Sequence, residues 1–288
     1  MAAEQAAVST GLTFIELCAG TAALSVRLQG GPYARPPVSR MGAKTGYSKA
    51  ILSIMGLRAG QGAERFVWAE PDDGCRLLLH AYAEPEIARA AARQLEQWVD
   101  EDPRALWDRL KAIGPINNFN GRELARYTVA LPGGAWTAMP PLAMYKGPGC
   151  HSSTLNTGLQ GTLARRYRSL TEHPALICSS ASDVPLPDVL STLSGRCVVY
   201  IDPPYQNTTG YAHDLTRDEV IALARLWSDA GAAVYISEAE PLDLPGWHQV
   251  NITGCRVGQK RTFSKQQVEY ITCNRVPAWV PAEQGSLF

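Results

Sequence analysis

Residues 198–206, VVYIDPPYQ, constrain the fold more than any other stretch of this 288-residue chain. Val198, Val199, Tyr200 and Ile201 are all β-branched or aromatic, with no polar residue among them. That is the pattern of a strand buried on both faces, as in a parallel sheet covered by helices. Pro203 and Pro204 follow Asp202 at once. Proline has no N–H and fixes φ, so the chain must leave the sheet just past the strand's carboxyl end. Ligands of open α/β sheets bind outside that edge. An acid, two rigid carbonyl-bearing residues and an aromatic, Tyr205, are therefore presented together where chemistry is usually sited.

Three further segments repeat this strand-to-tip design. In TFIELCAG, Phe14, Ile15 and Leu17 form a short apolar strand, and Ala19-Gly20-Thr21 turns into the helical run AALSVRLQG. Small residues at such a turn let backbone approach a ligand, and the helix start offers unpaired N–H groups. Arg65–Ala69 is a second strand, ending in the acidic tip Glu70, Pro71 and Asp72, where doubly wound folds place an acid for ribose hydroxyls. Acids also suit the first turn of the helix that follows. Ala175–Cys178 is a third strand, with Asp183 just beyond it, available either to a ligand or as a cap for the next helix. TRDEVIALARLWSDAG reads as an amphipathic helix with a Thr216/Glu219 capping box, ended by Gly231. AAVYISEAEP is another buried strand with Glu238 and Glu240 at its end. GWHQVNI and VEYITCN are two more strands, the second expected to close the sheet.

Between these segments lie the basic and irregular ones. Arg40, Gly42, Lys44 and Lys49 form a short basic stretch that runs into an apolar helix face of Ile51, Leu52 and Met55; a solvated basic helix start is its plainer reading. From Glu84 to Pro174 the α/β rhythm breaks. Residues 84–113 read as helices with a solvated, mixed-charge face, and the rest is rich in Gly, Pro, Asn and aromatics, as inserted recognition regions are. Within it Tyr145, Lys146, Arg165, Arg166, Tyr167 and Arg168 mix cations with aromatics, which suits phosphate contact and stacking; a helix with one charged face is the alternative. The loop after Tyr205 carries Tyr211 and His213, and GCRVGQKRTFSKQQ carries Arg256, Lys260, Arg261 and Lys265.

Composition limits the function classes. Lys plus Arg and Asp plus Glu each total 27, so net charge is zero and any nucleic-acid binding must rest on local patches. No apolar run reaches membrane-spanning length, and MAAEQAAVST has no signal-peptide pattern. Seven scattered cysteines without a Cys-x-x-Cys pair point to reduced thiols in a cytoplasm and to no zinc or other metal site.

The tetrapeptide Asp202-Pro203-Pro204-Tyr205 resembles the Asp-Pro-Pro-Tyr motif of S-adenosylmethionine-dependent amino-methyltransferases, above all the DNA adenine-N6 class. The resemblance covers most of residues 13–83 and 175–274. It implies that Asp202 and the Pro203 carbonyl each accept a hydrogen of the target amine, and that Pro204 and Tyr205 complete the pocket, Tyr205 stacking on a base turned out of the duplex. It implies cofactor contacts at Glu16, Ala19, Gly20, Thr21, Lys44, Glu70 and Asp183. Leu17 and Cys18 stand where the family has Pro-Phe, and Ala22 replaces its last motif glycine. The Lys44 segment follows the glycine turn, whereas in the family it precedes it. DNA contacts are expected at Arg40, Arg166, Tyr211, Lys260, Arg261 and Lys265.

The expected fold is therefore α/β: a Rossmann-like class I methyltransferase, doubly wound around a mostly parallel sheet. Residues 1–83 and 175–288 form the S-adenosylmethionine-binding catalytic domain, and 84–174 the inserted target-recognition region. The expected activity is methylation of adenine N6 in double-stranded DNA by a monomer, in a bacterial or phage-infected cytoplasm. Cytosine-N4, RNA or protein amines, and a non-catalytic protein that binds cofactor or DNA on the same fold, are the alternatives. Cytosine-C5 chemistry is disfavoured because no Pro-Cys dipeptide supplies its nucleophile.

Overall fold

The computed structural model describes residues 11–37, 43–102, 105, 159–186, 196–205, 215–257 and 268–282. Its centre is a seven-stranded sheet, with strands β1 (Leu12–Leu17), β2 (Arg65–Ala69), β3 (Ala175–Cys178), β4 (Arg196–Ile201), β5 (Ala233–Glu238), β6 (His248–Asn251) and β7 (Tyr270–Cys273) in the order β3-β2-β1-β4-β5-β7-β6. The first five strands are parallel, and β7 runs antiparallel to both β5 and β6. The last expectation for the sheet needs correction: β7 does not close it but slots between β5 and β6, which leaves β6 at the edge. The burial pattern accords with this order without dictating it. β7 is apolar enough for an interior position, whereas His248, Gln249 and Asn251 of β6 are exposed.

Side chains alternate across the strands and feed two cores. Phe14, Phe66, Trp68, Val198, Tyr200 and Tyr235 point into one; Ile15, Leu17, Val67, Val199, Ile201 and Ile236 point into the other. Onto the first core pack α1 (Ala23–Gly30), α2 (Ser48–Ile54), α3 (Asp73–Ala83), α4 (Pro85–Gln97) and α5 (Leu159–Arg168). Onto the second packs α6 (Arg217–Asp229) through Val220, Ala224 and Trp227. Helices thus cover both faces, and the run Val198–Ile201 had to be apolar on both sides. α6 begins at the expected box: Thr216 Oγ1 accepts from Glu219 N at 3.3 Å, and Glu219 Oε2 accepts from Thr216 N at 2.7 Å.

The two ends of the segment expected as an insertion belong to this layer. α4 and α5 pack against each other, and Ile87, Ala91, Leu95, Leu163 and Tyr167 share the first core with the sheet. Tyr167, expected as a stacking surface, is instead a core residue, 1% exposed. Residues 106–158, with Tyr145 and Lys146, lie outside the described residues. No helix among the described residues is long and apolar enough to cross a membrane.

The connections create one switch point. From β1 the chain steps outward to β2 and β3, then returns to lay β4 on the other side of β1 and continues outward to β5. The crossovers diverge at the β1/β4 boundary and leave a crevice outside the carboxyl ends of those strands.

Candidate active site at the carboxyl edge of the sheet

Three backbone hydrogen bonds extend the parallel ladders one step past the strands. Asp202 N donates to Leu17 O at 3.1 Å, Ala19 N to Ala69 O at 3.0 Å, and Glu70 N to Cys178 O at 3.1 Å. They bring Asp202, the Ala19–Gly20 turn and Glu70 to one rim beside the switch point, although they are far apart in sequence.

The turn after β1 is held in a conformation that normally asks for glycine. Cys18, Gly20 and Ala22 have φ of 57°, 54° and 46°. The left-handed region costs a non-glycine residue about 1–2 kcal/mol, and such outliers collect at ligand sites. A Cβ built on Gly20 would meet nothing within 4 Å, so space lies open in front of the turn. Thr21 is buried, and its Oγ1 has no hydrogen-bond partner among the described residues. Glu70, 5% exposed, braces the turn: Oε2 accepts from Gly20 N at 2.6 Å and Oε1 from Asp72 N at 3.0 Å. The cap of α3 is made by Asp72, which accepts from Cys75 N at 2.9 Å. The capping role is thus taken by Asp72, and the Glu70 carboxylate faces the Gly20 turn instead.

Glu16 sits deeper. Its Oε1 accepts from Ser25 N at 2.7 Å and Ser25 Oγ at 2.5 Å, and Trp68 Nε1 donates to Ser25 Oγ at 2.9 Å. Burial raises the Glu16 carboxyl from its ordinary 4.5 to about 7; the Ser25 bonds oppose that rise, and Asp202 adds to it. Burial also raises the Cys18 thiol, helped by Glu70 and Asp202, so the turn's cysteine is a neutral thiol.

At the tip of β4 a buried lysine gathers the motif. Lys44, 6% exposed, opens the 3-10 helix Lys44–Gly46 and places Nζ 2.6 Å from Asp202 Oδ1 and 3.7 Å from Glu269 Oε1. The same ammonium stands 4.6 Å from the centroid of the Tyr205 ring. Tyr205 is buried, and its hydroxyl donates to Glu269 Oε1 in a short bond. Burial pushes the Asp202 and Glu269 carboxyls up, and the Lys44 charge pulls both back. Glu238, at the end of β5, is raised by burial to about 7. The sequence had left Lys44 between two roles; its side chain is not on a solvated helix start but inside the Asp202–Tyr205 cluster.

Glu269 was missed at the sequence level. The signal is its parity: it is two residues before Ile271 and four before Cys273, both fully buried, so it faces inward with them.

The described residues that flank the basic segment 258–267 meet the same turn. Val257 N donates to Gly46 O at 2.9 Å, the Arg256 guanidinium lies 5.9 Å from the Tyr47 ring centroid, and Glu269 returns the chain to Lys44. Lys260, Arg261 and Lys265 between those ends lie outside the described residues, as do Arg40, Tyr211 and His213. Two other expected contacts have protein partners. Arg166 donates to Pro37 O at 2.9 Å. Asp183, in the 3-10 helix Ala181–Asp183, accepts from Ser179 Oγ at 2.5 Å, and that bond lowers its pKa first among several. Pro203 is buried between Asp202 and Pro204, which are partly exposed.

Among the described residues no three His, Cys, Asp or Glu side chains are grouped to hold a metal ion. Compared with known proteins, the chain matches no family model and no curated protein.

Proposed function

We propose that this chain is an S-adenosylmethionine-dependent amino-methyltransferase of the class I fold that acts on adenine N6 in duplex DNA. The observation that carries the reading is the position of Asp202-Pro203-Pro204-Tyr205 at the carboxyl end of β4, across the switch point from the open Gly20 turn of β1.

The residues around the turn fit the cofactor. Open space before Gly20, a buried Thr21 hydroxyl without a partner among the described residues and an oriented Glu70 carboxylate are features that a ligand with hydroxyl and amino groups would use. Gly20 and Thr21 would hold its methionine part and Glu70 its ribose. Bound there, S-adenosylmethionine would supply an electrophilic methyl group, its sulfonium C–S bond breaking to leave a neutral thioether.

The chain's own part is to prepare the amine. An exocyclic ring amine is a poor nucleophile because its lone pair is delocalised. Hydrogen bonds from its two hydrogens to the Asp202 carboxylate and the Pro203 carbonyl draw the nitrogen towards a tetrahedral shape and aim the lone pair. The proton is lost only as the nitrogen is methylated, and Asp202 or water takes it. Tyr205 supplies an aromatic ring whose hydroxyl is held by Glu269, which suits stacking on a planar base. The basic segment that leaves the Lys44–Gly46 turn at Val257 and returns at Glu269 borders this pocket at both ends, which supports a nucleic-acid substrate.

Calorimetric titration with S-adenosylmethionine tests the reading. Saturable one-to-one binding is expected, and a flat titration would sink it.

A further inference from the structure

The cluster at the tip of β4 is crowded. On the proposed function, Asp202 accepts a hydrogen from the substrate amine, yet Lys44 Nζ already donates to Asp202 Oδ1 at 2.6 Å. The same ammonium stands against the Tyr205 ring, the other group assigned to the base. An ammonium cannot simply withdraw, because a buried charge that loses its partner is strongly destabilised. It needs a second anion within reach.

Glu269 is that anion. Its Oε1 lies 3.7 Å from Lys44 Nζ, and the residue is 1% exposed. A charge-assisted N–H···O bond closes at about 2.7–2.9 Å, so a shift of roughly 1 Å passes the ammonium from Asp202 to Glu269 without returning it to water. The Tyr205 hydroxyl, donating to the same oxygen, fixes that carboxylate in place. We propose that Glu269 is a positioning residue that receives Lys44 when Asp202 engages the substrate amine, so that Lys44 alternates between two carboxylates. Glu269 acts through Lys44 and Tyr205 and does not touch the reacting atoms. Among the described residues, the groups that face Lys44 include Asp202 just past β4, Glu269 just before β7 and Tyr205, with Glu238 at the end of β5 exerting a weaker electrostatic pull.

The inference rests on the proposed methyl transfer for its kinetic consequence but not for its structural one, so two measurements separate them. Glu269→Gln keeps an amide oxygen to accept from Tyr205 but removes the charge that would hold the ammonium. It is expected to lower kcat at least tenfold while leaving the S-adenosylmethionine Kd within about twofold. A merely structural role would instead alter binding and kcat together, or neither. An unchanged kcat overturns the inference.

The second measurement needs no activity and no Glu269 variant. Asp202→Asn removes the charge at one end of the exchange, so in a crystal structure of that variant Lys44 Nζ should close on Glu269 from 3.7 Å to about 2.8 Å. Lys44 remaining on residue 202 overturns the exchange, whatever the protein methylates. Closure on Glu269 in a protein that transfers no methyl group would keep the exchange and remove the proposed function.

Discussion

Lys44 and Asp202, 158 residues apart, meet at 2.6 Å inside the crevice. The pair joins the 3-10 turn Lys44–Gly46 to the tip of β4, so the motif's acid is held by a segment that the sequence left between a solvated helix start and a cofactor contact. The contact fixes where the carboxylate points, and on the proposed function it sets what must move before Asp202 meets a substrate amine.

Asp202 is the first residue to test. Asp202→Ala is expected to leave S-adenosylmethionine affinity within about threefold and to lower methyl transfer by roughly 10²–10⁴, the range associated with a positioned acid–base group. Asp202→Asn keeps one acceptor oxygen and should retain measurable turnover. Single-turnover kinetics with labelled cofactor checks both, and full activity in the alanine variant contradicts the mechanism.

The cofactor side is probed at Glu70 and Gly20. Glu70→Ala removes the brace on Gly20 N as well as the expected ribose acceptor. Hydrogen bonds to a charged acceptor are worth about 1.5–3 kcal/mol, so affinity should fall roughly tenfold or more. Gly20→Val places a β-branched residue at φ 54° and pushes its side chain into the open space; it too should weaken binding. Unchanged affinity in both variants puts the ligand elsewhere.

Glu16 predicts a pH dependence of stability. Its folded value of about 7 exceeds its ordinary 4.5, so the folded state holds the extra proton between those values. The stabilisation this gives is complete below 4.5 and is lost as pH rises through 7. Glu16→Gln keeps an acceptor oxygen for Ser25 and has no such loss. Relative to the parent it should gain stability from about pH 5 to pH 8, by about 3 kcal/mol at most. Urea melts at the two pH values check this. Glu238 titrates in the same sense, while His173, lowered by burial to about 4, opposes it; both cancel in the comparison. A difference between variant and parent that stays constant with pH contradicts the assignment.

The parts of this fold that were legible in the sequence are those where one local rule suffices. Val198–Ile201 is apolar on both faces and ended by prolines, and Thr216/Glu219 is a complete capping box; both stand as read. Position within a sheet is a different matter. The place of β7 between β5 and β6 depends on pairings that composition does not encode. The site divides the same way. Asp202 and Tyr205 lie in one tetrapeptide and are readable, and Lys44 was expected near them from the resemblance alone, whereas Glu269 resembles a surface residue until its burial is known. Tyr167 erred in the other direction: its basic neighbours Arg165, Arg166 and Arg168 suggested a binding face, yet its own helical position points into the core.

Any nucleic-acid affinity on a chain of zero net charge must come from a few cations. Reversing Lys260 and Arg261 together to Glu should weaken binding to all duplexes alike and flatten the salt dependence by about two units, since each neutralised phosphate releases about 0.9 counterion. Fluorescence anisotropy at several salt concentrations gives the slope. An unchanged slope with lost sequence preference would mean that these residues read bases.

The most direct measurement of the central claim is to incubate the protein with methyl-labelled S-adenosylmethionine and duplex DNA, digest the DNA to nucleosides and identify the labelled one. The account predicts label in N6-methyladenine, abolished by Asp202→Ala. Label in N4-methylcytosine, or label only when RNA or protein replaces the DNA, would contradict the proposed substrate, and no label on any of them would contradict the proposed chemistry itself.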